Sequence, residues 1–367
     1  MRSLEPRELT EGMVLAEPVI TQAGQVLAPK GSGITRQLIN RIRLYRIGQV
    51  AVEEEKTERT DTAQAQTKTH AEKSRTHSQK VAASNQFRDF QFIYYETIEE
   101  MKRAFTGLAE RGEPIDTDRL LSASSDLFRS RSTIAEMFDM LFNLRTVSDA
   151  VYAHCLNVAL ISRMIGRWLK ADRETRDLLT LAGMLHDIGK IKIPDEILNK
   201  PDTLTEAEFA LIRQHPRFGY ELLKGQQLND HIKKAALMHH ERSDGSGYPA
   251  GLTDERIDSV AQIIGIADVY DAMTTSRAYR TPLCPFEVIS RFEQEGFQKY
   301  HTRYILTFLQ QIAETYQNNR VILSNGRCGK IVMLNQKALS RPMVQFDDNT
   351  VLDLSTADKD LYIRAIF

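Results

Sequence analysis

From about Gln86 to about residue 318, apolar residues recur at intervals of three and four, as in "FQFIYYETIEEMKRAF", "IAEMFDMLFNL", "LNVALISRMIGRWL" and "DLLTLAGMLHDIG". That period belongs to helices with one face turned to a core, and its persistence predicts a helical bundle. Thr205, followed three residues later by Glu208 and then by "FALIRQH", marks one helix start as a capping box. Outside this stretch the period changes. Residues 1–53 carry short β-like runs, "MVLAEPVI", "QVLAP" and "QVAVEE", around a helical "TRQLINRIRLYRIG", which predicts a small mixed α/β domain. Residues 54–85 are polar and nearly free of branched or aromatic apolar side chains, so a linker or exposed helix is expected there. Residues 321–367 return to short runs, "GRCGKIVMLN", "RPMVQFDD", "TVLDL" and "LYIRAIF", separated by turn residues, and predict a small C-terminal β unit. The expected fold is mainly α, with residues 86–320 forming the helical bundle.

Composition narrows the function classes. Of 367 residues, 26% are charged and the formal net charge is -1, so the chain lacks the basic footprint of a protein that binds a nucleic-acid polymer. The three cysteines, Cys155, Cys284 and Cys328, are far apart, with no Cys-x-x-Cys spacing. A disulfide framework and a thiolate metal site are therefore not expected, and a reducing cytoplasm fits. No apolar run is long enough to suggest a membrane span or a leader, so the expectation is a cytoplasmic chain without a membrane partner.

Histidine placement carries the chemistry. Six of the nine histidines fall between residues 154 and 240; His231 is expected at an exposed helix position, and the other five, His154, His186, His215, His239 and His240, lie inside or at the ends of predicted helices with apolar neighbours. Asp187 follows His186 directly, and Asp268 lies in "AQIIGIADVYDAM". A lone buried histidine is more often a hydrogen-bonded core residue than a ligand, but this many imidazoles and carboxylates on several helices favour a metal centre. Imidazole and carboxylate without thiolate suit iron, manganese, nickel or zinc. A carboxylate directly after a histidine can reach a second ion while the ring holds the first.

The motifs "HDIGK" (186–190), "HP" (215–216), "HHERSDGSGYP" (239–249) and "ADVYDAMTTSRAYR" (267–280) resemble the HD-GYP family of cyclic di-GMP phosphodiesterases, a subset of the HD metal-dependent phosphohydrolases. The likeness runs from His154 to about Phe297. It implies an HD-type helical catalytic domain in which His154, His186, Asp187 and Asp268 hold one divalent ion. Asp187, His215, His239 and His240 hold a second, with Asp187 shared. A subset of the family carries a glutamate where this chain has Ala150, so two ions are expected rather than three. Iron or manganese come first, with nickel, zinc or magnesium as alternatives.

In that resemblance the catalytic roles fall to Asp187 and Lys190, with a water between the two cations made acidic enough to attack phosphorus. Lys190, Gly247, Tyr248, Pro249, Asp271, Arg277 and Arg280 are expected to contact or shape the site for cyclic di-GMP, and the glycines of "SDGSGYP" to allow tight turns and close ligand approach. Glu241 is open between a partner for a histidine N–H and an anchor for the loop. Hydrolysis gives pGpG, GMP or both. The alternatives are an HD phosphohydrolase of another cyclic dinucleotide or nucleotide, and a non-catalytic cyclic di-GMP receptor or interaction module. The resemblance further implies a place in bacterial signalling, in biofilm formation or motility, and is compatible with a homodimer and with protein partners in that signalling. Residues 1–53 resemble a small regulatory or docking domain found ahead of HD-GYP domains.

Overall fold

The computed structural model describes residues 2–5, 8–10, 12–20, 26–28, 31–34, 38–39, 42, 47, 49–52, 84–129, 134–144, 150–200, 202–275 and 283–366. The chain forms two units, Met1–Ser74 and Arg75–Phe367. In the first, β1 (Arg2–Leu4) pairs antiparallel with β4 (Val50–Val52), and β2 (Val19–Ile20) with β3 (Val26–Ala28). Leu4, Leu15, Val19, Ile34, Ile42, Val50 and Val52 close a core of their own, and residues 38, 39 and 42 are helical, within the predicted "TRQLINRIRLYRIG" segment. The expected linker, residues 54–85, lies outside the described residues except for its last two.

The second unit is built of helices. α1 (Asn85–Arg111) is capped by the Ser84 side chain and stopped by Gly112 in the left-handed region. α2 (Thr117–Arg129), α3 (Ile134–Asn143), α4 (Ala150–Trp168) and α5 (Arg173–Leu185) follow, then a 3-10 turn over Ile188–Lys192. After these come α6 (Asp195–Leu198), α7 (Glu206–Ile212), α8 (His215–Leu223), α9 (Asp230–Met238), α10 (Ser259–Thr274), α11 (Pro285–Arg291), α12 (Phe297–Lys299) and α13 (Thr302–Thr315). α4 packs against α5 and α10, and α9 lies among α5, α8 and α10, so four helix ends converge on one place. Leu156, Leu160, Leu185, Ile232, Ile264 and Ala267 are among the buried apolar residues that hold these helices together. Among the described residues, no helix is long and apolar enough to cross a membrane.

Thr205 and Glu208 form the reciprocal capping box that their spacing predicts. His215 departs from the expected pattern. It does not close the helix of "FALIRQ", because α7 ends at Ile212 and His215 opens α8. The cause is Pro216, which has no N–H to offer an existing helix but fits the first turn of a new one, where that N–H would find no intrahelical partner. Gly189 sets how closely α8 approaches the 3-10 turn, since a Cβ there would collide with the His215 carbonyl and the Gly219 backbone.

The chain ends in an antiparallel sheet of β5 (Arg320–Leu323), β6 (Cys328–Met333), β7 (Met343–Phe346), β8 (Val351–Asp353) and β9 (Ile363–Ile366), in the order β8-β7-β6-β5-β9. The fold is therefore mainly α with a small C-terminal sheet. Val321, Leu323, Ile331, Val344 and Ile363 bury the inner face of that sheet in the same core as the helices. Glu293 ties the two together, accepting from the backbone N–H of Leu339 at 2.6 Å and from the Ser340 side chain and backbone.

Candidate metal centre

Helix ends, together with α4 and α10, deliver the five clustered histidines and two aspartates to one buried place. His154 lies within the first turns of α4; His186 caps the end of α5 and Asp187 precedes the 3-10 turn; His215 opens α8; His239 caps α9, with His240 next; Asp268 lies within α10. His186, Asp187, His215 and His239 are almost wholly buried. One donor atom from each of Asp187, His215, His239 and His240 forms a group within 4.8 Å, and His154, His186 and Asp187 form a second, so Asp187 belongs to both. Asp268 stands outside these groups but reaches a member of each, with Oδ1 3.0 Å from His154 Nε2 and Oδ2 3.6 Å from His240 Nδ1.

Tautomers follow from the backbone. His186 Nδ1 faces the Gly183 carbonyl at 2.8 Å, His215 Nδ1 the Ile212 carbonyl at 2.7 Å, and His239 Nδ1 the carbonyls of Ala235 and Ala236 at 3.1 Å. A carbonyl oxygen only accepts, so each Nδ1 carries the proton and each neutral ring presents a lone pair at Nε2. His215 Nε2 and His239 Nε2 are 3.2 Å apart, with Asp187 Oδ1 at 3.1 and 3.7 Å respectively. In the neutral tautomers three lone-pair groups thus face one another. His186 Nε2 and Asp187 Oδ1 are accordingly buried without a hydrogen-bond partner. Burying such atoms unpaired is costly, and a cation among them removes that cost. The donor set therefore fits metal ions.

For His239, His240 and Asp187 the charge states agree. Burial, reinforced by the neighbouring rings, holds His239 well below the usual histidine range, and burial pushes His240 down to about 3. Both rings are neutral near pH 7 and free to ligate. Burial favours the neutral form of Asp187, but the Lys190 ammonium and the adjacent histidines outweigh it and hold the carboxyl well below its ordinary value. Lys190 sits directly on Asp187 Oδ2, and that carboxylate in turn raises it. Burial lowers His154, but the carboxylates of Asp268 and Asp271 prevail and push it up to about 9.

The "GYP" loop folds back over the cluster. The Tyr248 ring stacks on His240 with centroids 4.6 Å apart, and the Arg213 guanidinium lies 4.4 Å from the Tyr248 ring centroid in a cation–π contact. Glu241, left open by the sequence, is a loop anchor: its carboxylate accepts from Ala250 N at 2.7 Å and Leu252 N at 2.9 Å. Gly247 serves a close approach, although to the chain itself rather than to a ligand. A Cβ there would stand 2.5 Å from the His240 carbonyl and nearer still to Glu241 Cα and Arg242 N. Pro249 lies between Tyr248 and the anchored Ala250, partly exposed.

One expected substrate contact is corrected. Asp271 is 4% exposed, and both its oxygens are taken: Oδ2 by His154 Nδ1 at 2.7 Å, Oδ1 by Asn157 Nδ2 at 2.8 Å and the Thr275 hydroxyl at 2.9 Å. It stands one helical turn after Asp268 and backs the His154 ring instead of facing an incoming ligand. Arg277 and Arg280 lie outside the described residues. Sequence reasoning passed over Arg213, whose position beside Tyr248 depends on a loop 35 residues away in the chain.

The family model described as HD domain matches residues 118–301. A cyclic di-GMP phosphodiesterase of Pseudomonas aeruginosa is 33% identical over 65% of this chain and 57% of its own length. A cyclic di-GMP phosphodiesterase response regulator of Xanthomonas campestris is 46% identical over 33% of this chain and 32% of its own. A 3′3′-cGAMP-specific phosphodiesterase of Vibrio cholerae is 35% identical over 47% of this chain and 41% of its own. The chain thus spans 32% to 57% of the length of these relatives. An HDG"Y"P protein from Bdellovibrio bacteriovorus of known structure shares the fold, with a TM-score of 0.54 at 16% identity over 84% of this chain and 97% of that one.

Proposed function

This chain belongs to the HD domain family, and from that premise we propose that it is a metal-dependent phosphodiesterase that hydrolyses cyclic di-GMP to pGpG, GMP or both. The observation that carries the reading is the buried set of unprotonated donors around Asp187, which matches no ordinary core and suits two divalent cations, iron or manganese first. His154, His186, Asp187 and Asp268 would hold one ion, and Asp187, His215, His239 and His240 the other. Ions bound there supply an acidified water and a Lewis acid for the phosphodiester.

The remaining work belongs to the chain's own side chains. Asp187, kept ionised by Lys190 and its neighbouring rings, supplies one oxygen to each group. Lys190, partly exposed beside it, is placed to meet a phosphate oxygen and neutralise charge that builds up there. Tyr248, clamped between His240 and Arg213, walls one side of the cluster, and Glu241 holds the loop that carries it. Arg277 and Arg280 are proposed substrate contacts. In this reading the chain removes a bacterial second messenger, and biofilm formation or motility are the processes it serves.

A second cyclic dinucleotide is favoured by one specific finding, the 35% identity to a relative named for 3′3′-cGAMP. The test is an anaerobic incubation of the chain, reconstituted with Fe(II) or Mn(II), with cyclic di-GMP and with 3′3′-cGAMP in parallel, products being separated by chromatography. Faster conversion of cyclic di-GMP to pGpG or GMP supports the proposal; faster conversion of 3′3′-cGAMP replaces the substrate. Tight binding with no product makes the chain a receptor.

A further inference from the structure

The His154 ring is held from behind by a chain of hydrogen bonds that leaves the HD-matched segment. Asp271 Oδ2 takes the Nδ1 proton, which leaves Nε2 to face Asp187 and Asp268. Asn157 Nδ2 donates to Asp271 Oδ1 at 2.8 Å, and Asn157 Oδ1 accepts from the Tyr94 hydroxyl at 2.6 Å, which also lies 3.0 Å from the Ala153 carbonyl. Each link fixes the next. The Asp271 carboxylate only accepts, so the Asn157 NH2 must face it, and that orientation leaves Oδ1 to accept from the Tyr94 hydroxyl. Every member is buried: Tyr94 0%, Asn157 6%, Asp271 4% and His154 8% exposed. Tyr94 stays protonated and hence a donor, since burial and the Asp271 charge push it well above its ordinary range.

We propose that Tyr94, Asn157 and Asp271 are positioning residues for His154, and that α1, which lies before the family-matched residues 118–301, thereby sets the metal affinity of the His154 half of the centre. The inference rests on the metal-centre reading above. Asp271 and Asn157 each lie three residues after a proposed ligand, Asp268 and His154, on the same faces of α10 and α4. Tyr94 bridges in from a third helix, and its hydroxyl spans Asn157 Oδ1 and the Ala153 carbonyl. The other half of the centre uses backbone carbonyls to orient His215 and His239, and has no such dependence on α1. The two halves should respond differently to one lost hydroxyl.

The experiment titrates Mn(II) by equilibrium dialysis into the full chain and into Tyr94→Phe, Asp271→Asn and Thr97→Val, with melting of the metal-free proteins in parallel. Thr97 is a buried hydroxyl on the same helix whose partners, the carbonyls of Ile93 and Ala123, are not members of the chain of hydrogen bonds that ends at His154. The expected result is two ions in the unaltered chain and, in Asp271→Asn, one of the two weakened about 10–100-fold with the other unchanged. Tyr94→Phe should show the same one-sided loss at the low end of that range, and Thr97→Val should lower the melting temperature without changing either ion. Equal affinities in all four proteins, equal weakening of both ions, or a Thr97→Val loss matching that of Tyr94→Phe would overturn the inference alone. Failure of the unaltered chain to take up Mn(II) would overturn the metal-centre reading with it.

Discussion

The Gly247 backbone presses on the very residues that end in the metal centre, which makes Gly247→Ala an informative perturbation. The added methyl would stand 2.5 Å from the His240 carbonyl and closer to Glu241 Cα and Arg242 N, all within the "HHER" run. Against the His240 oxygen it is about 1 Å inside van der Waals contact, and backbone atoms cannot rotate away as a flexible side chain would. Overpacking of this kind costs about 1–3 kcal/mol. The loop can relieve it only by lifting, against the anchor that Glu241 provides to Ala250 and Leu252, and Tyr248 then leaves His240. A displacement of about 1 Å at a reacting site can lower turnover by about 100-fold. The assay is kcat/KM for cyclic di-GMP and the melting temperature, with Gly225→Ala as control, since no atom lies within 4 Å of a Cβ there. The expected outcome is a lower melting temperature and kcat/KM reduced about 10–100-fold in Gly247→Ala alone. If Gly247→Ala and Gly225→Ala behave alike in both measurements, close packing of the loop is not what positions Tyr248.

Other consequences can be measured separately. Arg213→Ala removes the guanidinium over Tyr248, a contact worth about 0.5–1 kcal/mol, and should raise KM about two- to fivefold with kcat unchanged. The hydrogen bond from Lys200 and the Thr205 N–H hold Glu208 down to about 2 from 4.5, so its contribution to stability is complete above pH 4.5 and is lost as pH falls toward 2. Acid titration of the stability difference between the unaltered chain and Glu208→Gln should therefore be flat above pH 4.5 and shrink below it; a difference independent of pH contradicts the assignment. Chelation should lower the melting temperature, because an ion at a hundred times its Kd stabilises the folded state by about 2.7 kcal/mol, and calorimetry with and without Mn(II) checks this.

Some of this molecule was legible along the chain and some was not, for physical reasons. The helices could be read because each buries one face, and α7 announced its start through a local exchange between Thr205 and Glu208. The histidines could be gathered because their spacing placed them at helix ends, although Pro216 shifted His215 from the end of one helix to the start of the next. β1 and β5 were the strands not singled out: β1 is three residues long and pairs with β4 almost fifty residues on, while "RVIL" starts soon after α13 and its place beside β6 and β9 depends on pairing that a local pattern does not show. Asp271 carried a usable signal, its three-residue step from Asp268, which put it on the ligand's own helix face. Tyr94 carried none: next to Tyr95 in "FIYYET" it looks the same, and only the packing of α1 on α4 decides which hydroxyl meets Asn157.

The central claim is that Asp187 joins two cations into one hydrolytic centre. The most direct test is to count metal by mass spectrometry in the unaltered chain and in Asp187→Ala, both loaded anaerobically with Fe(II) or Mn(II), while following cyclic di-GMP by chromatography. The account predicts two ions per chain and product that tracks their loading, with Asp187→Ala losing both ions and more than about a hundredfold of the turnover. Turnover retained by Asp187→Ala, or by the unaltered chain after its metal has been removed, would contradict it.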